Sequence, residues 1–407
     1  MTSRHIVIVG GGQAAAQAIL TLRQRKFAGR ITLVGEEDLP PYQRPPLSKK
    51  YLAGELARER LFLRPLAFYE KNGVEMRLGV RAEEIEPDRR RVRLDDGPTM
   101  EYDGLLLATG SRVRRLNIPG SDLPGIHYVR NVADVDRISE AVKPGNRLVV
   151  VGAGYIGLEV AAVAVTKGLR VTVLEAVDRV MARVVCPEVS HFYFDYHTRS
   201  GVDIRCSTMI DGFVGNGRVE AVSAASGEQF PCDMAIIGIG IEPVVEPASS
   251  AGLACEDGIR VDEFARTDDK AIVAAGDCTN HPSRLYGRGV RLESVQNAID
   301  QAKVAAASLL GENQPYDSVP WFWSDQYDVK LQIGGLSQHH DQVVLRGDQS
   351  ANSFAAFYLR DGNLLAVDAV NSPKEFMLGK RLIMRRAAPS PEQLADPETD
   401  LAELLKR

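Results

Sequence analysis

Two glycine turns and two later carboxylates are the residues in this chain whose types and spacing could do chemistry. Gly10-Gly-Gly12-Gln-Ala14-Ala15 follows the β-branched run Ile6-Val-Ile-Val9, and Gly152-Ala-Gly154-Tyr155-Ile156-Gly157 follows Leu148-Val-Val-Val151. Glycines at the first and third places of such a turn let the backbone approach a pyrophosphate. The helix that follows turns its unpaired N–H groups and positive dipole end toward that anion. Glu36, after Leu33-Val-Gly35, and Glu175, after Val173-Leu174, stand 24 and 21 residues beyond Gly12 and Gly154. A carboxylate there accepts hydrogen bonds from ribose hydroxyls. At Glu175 its charge would also repel a 2′-phosphate, so the second turn predicts NAD over NADP, with Arg179 and Arg183 arguing the other way. One such turn is a weak signal, because small residues at a strand-to-helix junction also arise from close packing. Two copies with matching acids are a strong one.

The elements that must hold these residues follow from periodicity. Ile6–Val9 and Leu148–Val151 read as buried parallel strands, the stretches from Ala14 to Arg25 and from Leu158 to Lys167 as helices, and Ile31–Val34 and Val171–Leu174 as returning strands. Each copy is thus a βαβ unit of roughly 30 residues. Between them runs Pro40-Pro-Tyr-Gln-Arg44-Pro45-Pro-Leu-Ser48, an ordered loop whose prolines exclude helix or central strand until Ser48, which is expected to cap a helix from Lys49 to Leu56. The strand-to-glycine breaks at Leu105–Gly110 and Ala235–Gly240 suit crossings between domains. Gly276-Asp277 ends a further strand with an acid able to reach a second stretch of the same ligand. After Asn313, short alternating strands with Asp361-Gly362 as a hairpin turn predict a mostly antiparallel third domain, ending in a polar tail from about Ala387.

Composition narrows the class. The chain has 407 residues, 44% hydrophobic and 25% charged, which excludes disorder and allows a few domains, each with its own core. A net charge of −5 makes nucleic acid or an anionic membrane a poor default partner. The cysteines Cys186, Cys206, Cys232, Cys255 and Cys278 form no CxxC pair, so no metal site or local redox disulfide is expected. The N-terminal apolar run is too short for a signal-peptide core, and a cytoplasmic protein is expected. The apolar stretch from Leu148 to Val165 carries Gly152, Gly154, Gly157 and Glu159 at its centre, which suits a buried strand and helix and not a membrane span.

Six segments carry a resemblance: Arg44-Pro-Pro-Leu-Ser-Lys49, Ala108-Thr-Gly110, Gly152-Ala-Gly-Tyr-Ile-Gly-Leu-Glu159, Gly276-Asp-Cys278, Glu293-Ser-Val-Gln-Asn297 and Pro320-Trp-Phe-Trp-Ser-Asp-Gln326. Over nearly its whole length the chain resembles the two-dinucleotide flavoprotein reductases, and more narrowly the FAD-containing, NADH-dependent ferredoxin reductases of bacterial oxygenase systems. The resemblance implies an α/β fold of two Rossmann-like dinucleotide-binding domains, as in glutathione reductase, plus a C-terminal α+β domain. FAD would be held by 1–110 and 241–319, NAD by 111–240, and 320–407 would form the C-terminal domain.

Residue by residue, the resemblance implies FAD contacts from Gly10, Gly12, Ala14, Ala15, Glu36, Arg44, Pro45, Lys49, Ala82, Ala108, Thr109, Gly110, Arg130, Gly276, Asp277, Val295 and Trp323. NADH would meet Gly152, Gly154, Tyr155, Ile156, Gly157, Glu159 and Glu175. Lys49 is implied to lie near flavin N5 and to pair with Glu159, Tyr155 to lie beside the isoalloxazine, and the Val295 N–H to face the flavin O2 region. Ala15 stands where a third glycine can stand, and Val113 where relatives often have proline. Disulfide-reducing relatives carry cysteines on the early loop, which here reads Arg44 to Lys49, with no cysteine before Cys186. Electrons would therefore leave singly, to a [2Fe–2S] ferredoxin serving a cytochrome P450 or a Rieske oxygenase, from a monomer or homodimer. Arg64, Arg288, Lys303, Lys330, Lys374, Lys380 and Arg381 are candidates for a basic landing area. A rubredoxin reductase, a general NADH diaphorase, or an NADH-sensing flavoprotein resembling apoptosis-inducing factor remain the alternatives.

Overall fold

A computed structural model describes residues 4–406, which form two compact units. The first comprises the described part of Met1–Gln43 with Arg58–Arg112 and Glu242–Pro320; the second comprises Arg44–Ala57, Val113–Ile241 and the described part of Trp321–Arg407.

The first unit is built on a five-stranded parallel sheet. His5–Val9 pairs on one side with Arg30–Gly35, followed by Val74–Leu78, and on the other with Gly104–Leu107, followed by Ile272–Ala274. Ile6, Val7, Ile8, Leu105, Leu106 and Leu107 are completely buried, as strands covered on both faces require. The helix Gln13–Gln24 lies against Val295–Leu309, and alanines on both (Ala14, Ala15 and Ala18; Ala298, Ala302 and Ala305) share one core, so the two axes approach closely.

The second unit repeats the plan. Arg147–Val151 pairs with Arg170–Leu174, then Val202–Arg205, and on its other edge with Met234–Ile237, then Ile126–Tyr128, all parallel. In both sheets the first strand of the copy is central and the chain leaves it to opposite sides. The crevice beyond its carboxyl end is the switch point where doubly wound sheets bind ligands. The same unit holds an antiparallel sheet in the order Trp321–Gln326, Val329–Gly335, Asn363–Val370, Ser353–Arg360, Gln342–Asp348. The helix Pro373–Met384 covers it with Phe376, Leu382 and Ile383. Asp361 and Gly362 both have positive φ, 50° and 74°, the primed turn that Asp-Gly predicts.

Three sequence expectations are corrected. No α-helix runs from Lys49 to Leu56; a 3₁₀ turn occupies Pro45–Ser48, and Lys49 at φ −129°, ψ −115° ends it. The second-copy helix is Tyr155–Thr166, starting before its apolar periodicity because Gly154 is its N-cap. The C-terminal stretch is no loose polar tail: Ser390 caps the helix Pro391–Ala395 in a capping box, and Leu394 and Leu401 are buried. Among the described residues no helix is long and apolar enough to cross a membrane.

Candidate functional site

In the first unit the predicted residues collect where three neighbouring strands end. Gly10 follows His5–Val9 with φ 115°, and a Cβ on it would lie 2.0 Å from the Ala108 carbonyl oxygen. Only glycine allows the two strand ends this approach. Gly12 is the N-cap of Gln13–Gln24; no side chain caps it, and nothing lies within 4 Å of where its Cβ would be. Ala14 and Ala15 are buried beneath that turn. The next strand end carries Ala108, Thr109, whose Oγ1 donates to the Val244 carbonyl at 2.6 Å, and Gly110. Beyond Ile272–Ala274 come Gly276, whose N–H donates to Gln301 Oε1 at 2.8 Å, and Asp277, which accepts from Ser111 Oγ at 2.9 Å.

Around this centre, Ser294 caps the helix Val295–Leu309 at Asn297, and Val295 opens it with an N–H that the helical ladder does not use. Ala82 opens the strand Ala82–Glu86 and is buried. Glu36 is exposed and ion-paired with Arg81 at 2.8 Å. Cys278 is wholly buried, and burial pushes its thiol up, which suits a packed thiol and no redox role.

The second unit repeats the glycine turn. Gly154 caps the helix Tyr155–Thr166, again with no side-chain cap and open space at its Cβ position. Glu175 Oε2 accepts from the Ala153 N–H at 2.7 Å and Oε1 from the Val177 N–H at 3.1 Å, so the acid is fixed against the turn itself. Ile156 is 41% exposed beside it.

One helical turn apart, Tyr155 and Glu159 point into the same interior and meet the strand Trp321–Gln326. The Phe322 ring lies 4.7 Å from that of Tyr155, and Ser324 Oγ donates to Glu159 Oε1 at 2.6 Å. The match is geometric: four helical residues advance about 6 Å and two strand residues about 6.7 Å. Glu159 is only 3% exposed. Its Oε2 receives the Lys49 ammonium at 2.7 Å and the Ser48 hydroxyl, both brought by Arg44–Ala57. The Pro45 carbonyl accepts from the same Lys49 Nζ at 3.3 Å, and Arg44 donates to the Arg130 carbonyl at 2.7 Å.

Burial holds the Tyr155 hydroxyl well above its ordinary pKa, and it has no hydrogen-bond partner among the described residues. Trp323 stands on the opposite side of its strand from Phe322 and Ser324, 5.5 Å from Trp321, whose ring faces Lys380 Nζ at 5.4 Å.

These features fit two dinucleotides. Each helix N-terminus is left without a side-chain cap, and each N-cap glycine opens onto space that a Cβ would enter, which is the cradle a pyrophosphate needs. Among the described residues no cluster of His, Cys, Asp and Glu is placed to hold a metal ion.

The family model for the pyridine nucleotide-disulphide oxidoreductases matches residues 4–302, and the reductase C-terminal model matches 321–405. The chain belongs to the pyridine nucleotide-disulphide oxidoreductase family. Within it, this oxidoreductase is 44% identical to rhodocoxin reductase of Rhodococcus erythropolis over 97% of its own length and 93% of that protein's. It is 41% identical to putidaredoxin reductase of Pseudomonas putida, over 98% and 96% of the two chains. Among solved structures, the covalent putidaredoxin reductase–putidaredoxin complex superposes with a TM-score of 0.97 at 40% identity, covering 100% of this chain and 99% of that one. The two-Rossmann plus C-terminal α+β class expected from the sequence is therefore the class of this oxidoreductase.

Sequence reasoning missed Ser48, which was taken for a helix cap and instead donates to Glu159, and it missed Ser324, Gln326 and His197 behind that carboxylate. A signal existed for two of them. Phe322, Ser324 and Gln326 alternate along one strand, so its inward face carries two polar residues where an ordinary core strand would carry none.

Proposed function

We propose that this oxidoreductase is an FAD-dependent NADH:ferredoxin reductase: NADH and two oxidised [2Fe–2S] ferredoxins give NAD⁺, one proton and two reduced ferredoxins, which serve a P450 or Rieske oxygenase. The bound flavin supplies the hydride acceptor that converts a two-electron donor into single electrons. The protein's residues bind, orient and exclude water. The turn at Gly10 and Gly12, with Glu36, Ala82, Ala108, Thr109, Gly110, Gly276, Asp277 and Val295, holds FAD. The resemblance also gives FAD contacts to Arg44, Pro45, Arg130 and Trp323. The turn from Gly152 to Gly157, with Glu175, holds NADH. Tyr155 and Phe322 wall the reacting face, and Glu159 fixes the Lys49 ammonium near the flavin.

The observation that carries this reading is the Lys49–Glu159 pair, at 2.7 Å with Glu159 buried. Disulfide-reducing relatives deliver a thiol from this early loop; here it delivers an ammonium, so the loop offers a charge to hold and no thiol to reduce. Removing one member of a buried pair leaves the other unpaired, at a cost of about 3–5 kcal/mol.

The test is anaerobic stopped-flow reduction, following the flavin visible band with NADH and with NADPH, for wild type and Lys49→Met. Fast bleaching by NADH alone, slowed in Lys49→Met, with reoxidation by ferredoxin changed less, is the expected result. No flavin band would overturn the reading as an FAD enzyme, and equal rates in the two proteins would overturn the role given to Lys49 and Glu159. Lys374, Lys380 and Arg381 share the helix Pro373–Met384, and a basic landing face there makes turnover with ferredoxin fall with salt while turnover with ferricyanide does not.

A further inference from the structure

Glu159 is the end of a longer buried file. Ser324 Oγ, which donates to Glu159, itself accepts from Gln326 Nε2 at 3.1 Å; Gln326 Oε1 lies 2.7 Å from His197 Nε2; and His197 Nδ1 lies 3.2 Å from the Tyr327 hydroxyl. Glu159, Ser324, Gln326 and His197 are 3%, 0%, 1% and 0% exposed, so bulk water replaces no missing partner. The strand Trp321–Gln326 supplies two members, Tyr155–Thr166 supplies Glu159, and Pro187–Arg199 supplies His197, all within the second unit.

Donor and acceptor capacity gives the file one direction. A carboxylate only accepts, so the single hydroxyl hydrogen of Ser324 goes to Glu159, and Ser324 must then receive from the Gln326 amide N–H. That turns the Gln326 carbonyl toward His197, which must carry its proton on Nε2 and leave Nδ1 to accept from Tyr327. Turning the Gln326 amide round would set its carbonyl against a Ser324 oxygen with no hydrogen left to give, and its NH₂ against the His197 N–H. Burial pushes His197 down to about 4, so at neutral pH the ring carries one proton and the count holds. Each link is buried, and an unmade buried hydrogen bond is costly, so the four residues orient together.

We propose that Ser324, Gln326 and His197 are positioning residues: a one-way hydrogen-bond file that holds Glu159 Oε1 toward the strand Trp321–Gln326 and leaves Oε2 to Lys49 and Ser48. The role rests on the reading of Lys49 and Glu159 as the working pair. By holding one oxygen, the file fixes the plane of the carboxylate, and hence where the other oxygen holds Lys49 Nζ. Lys49 comes from a chain segment of its own, and without this constraint the carboxylate could rotate and carry the ammonium with it.

The tautomer of His197 reports the direction of the file without turnover. Full-length protein labelled with ¹⁵N-histidine, its His197 ring assigned by the signals lost in His197→Gln, is observed through two-bond ¹H–¹⁵N couplings at neutral pH. Wild type is expected to show only the Nε2–H form. In Glu159→Gln the new amide can donate to Ser324, the file can run either way, and a second tautomer appears. Ser324→Ala cuts the file at its second link and frees Gln326 to turn, with the same result. A wild-type ring protonated on Nδ1, or a wild-type tautomer left unchanged in both variants, overturns the proposal. Because the readout is the ring itself, this outcome is separate from the stopped-flow result that decides the role of Lys49.

Discussion

Gly157 lies so close to Gly152 that a Cβ on it would sit 2.0 Å from the Gly152 carbonyl oxygen. Gly154, between them, faces open space at an ordinary φ of −78°. The two glycines therefore fail differently. Gly157→Ala must push the helix Tyr155–Thr166 off its strand, an overpacking that costs about 1–3 kcal/mol. Gly154→Ala fits the backbone and costs only the modest penalty of alanine at an N-cap, but places a methyl where the nucleotide pyrophosphate approaches, weakening NADH roughly tenfold. Calorimetry and anaerobic NADH titration separate the two; NADH binding at wild-type strength in Gly154→Ala would remove this turn as the nucleotide site.

Glu175 is held from two sides, by the Ala153 N–H at 2.7 Å and the Val177 N–H at 3.1 Å. A carboxylate fixed in this way cannot swing aside to admit a 2′-phosphate. Glu175→Gln removes the charge and keeps one acceptor oxygen, at the loss of one of the two backbone bonds, since its NH₂ cannot accept. The ratio of kcat/KM for NADH to that for NADPH is expected to fall about tenfold, mostly by a gain with NADPH. An unchanged ratio would assign the preference to other residues.

Both glycine turns were legible in the sequence because their signal is local: a β-branched run, closely spaced small residues, and an acid where the next strand ends. The surroundings of Glu159 were not. Its partners Ser48 and Ser324 are 111 and 165 residues away, and His197 is 129 residues from Gln326, distances over which periodicity carries no information. The proline-rich stretch could be read as ordered, because proline restricts φ wherever it stands. That its Lys49 meets the second unit's helix depends on the packing of Arg44–Ala57 with that unit, which local pattern does not encode. The packed C-terminus was missed for the same reason, since the residue that ties it down, Arg346, lies in a strand some fifty residues earlier.

Arg346 is 6% exposed, and its guanidinium donates to the carbonyls of Leu394 at 3.4 Å, Pro397 at 3.1 Å and Thr399 at 2.9 Å, and to that of Asp396. Glu375 lies 3.6 Å from its Nε. One planar fork thus satisfies four carbonyls of a segment that is otherwise short of regular structure. Arg346→Met keeps much of the stem's packing and removes every one of these bonds. The expected result is a stability loss of about 2–4 kcal/mol and early proteolytic cleavage after residue 384, with NADH-dependent flavin reduction retained. Cleavage at the wild-type rate would show that Leu394 and Leu401 anchor the segment unaided.

Asp368 is wholly buried in the strand Asn363–Val370, where the Tyr358 hydroxyl donates to one carboxyl oxygen and in turn accepts from the Cys186 N–H at 2.9 Å. The other carboxyl oxygen has no partner among the described residues. Burial pushes this group up from 3.8 to about 7, against the Tyr358 hydrogen bond, which pulls it down. Between those two values the folded chain holds a proton that the unfolded chain has released. The stabilisation is therefore complete below about pH 3.8 and is lost as the pH rises toward 7, by at most about 1.4 kcal/mol per pH unit. The neighbouring Tyr155, Tyr193, Tyr358 and Cys186 are all pushed up by burial and stay protonated throughout. Asp368→Asn keeps the shape and the acceptor but cannot ionise. Its melting temperature relative to wild type is expected to climb from pH 4 to pH 7 and then level off. A difference that stays flat across that range would mean that the carboxyl titrates in the fold as it does in water.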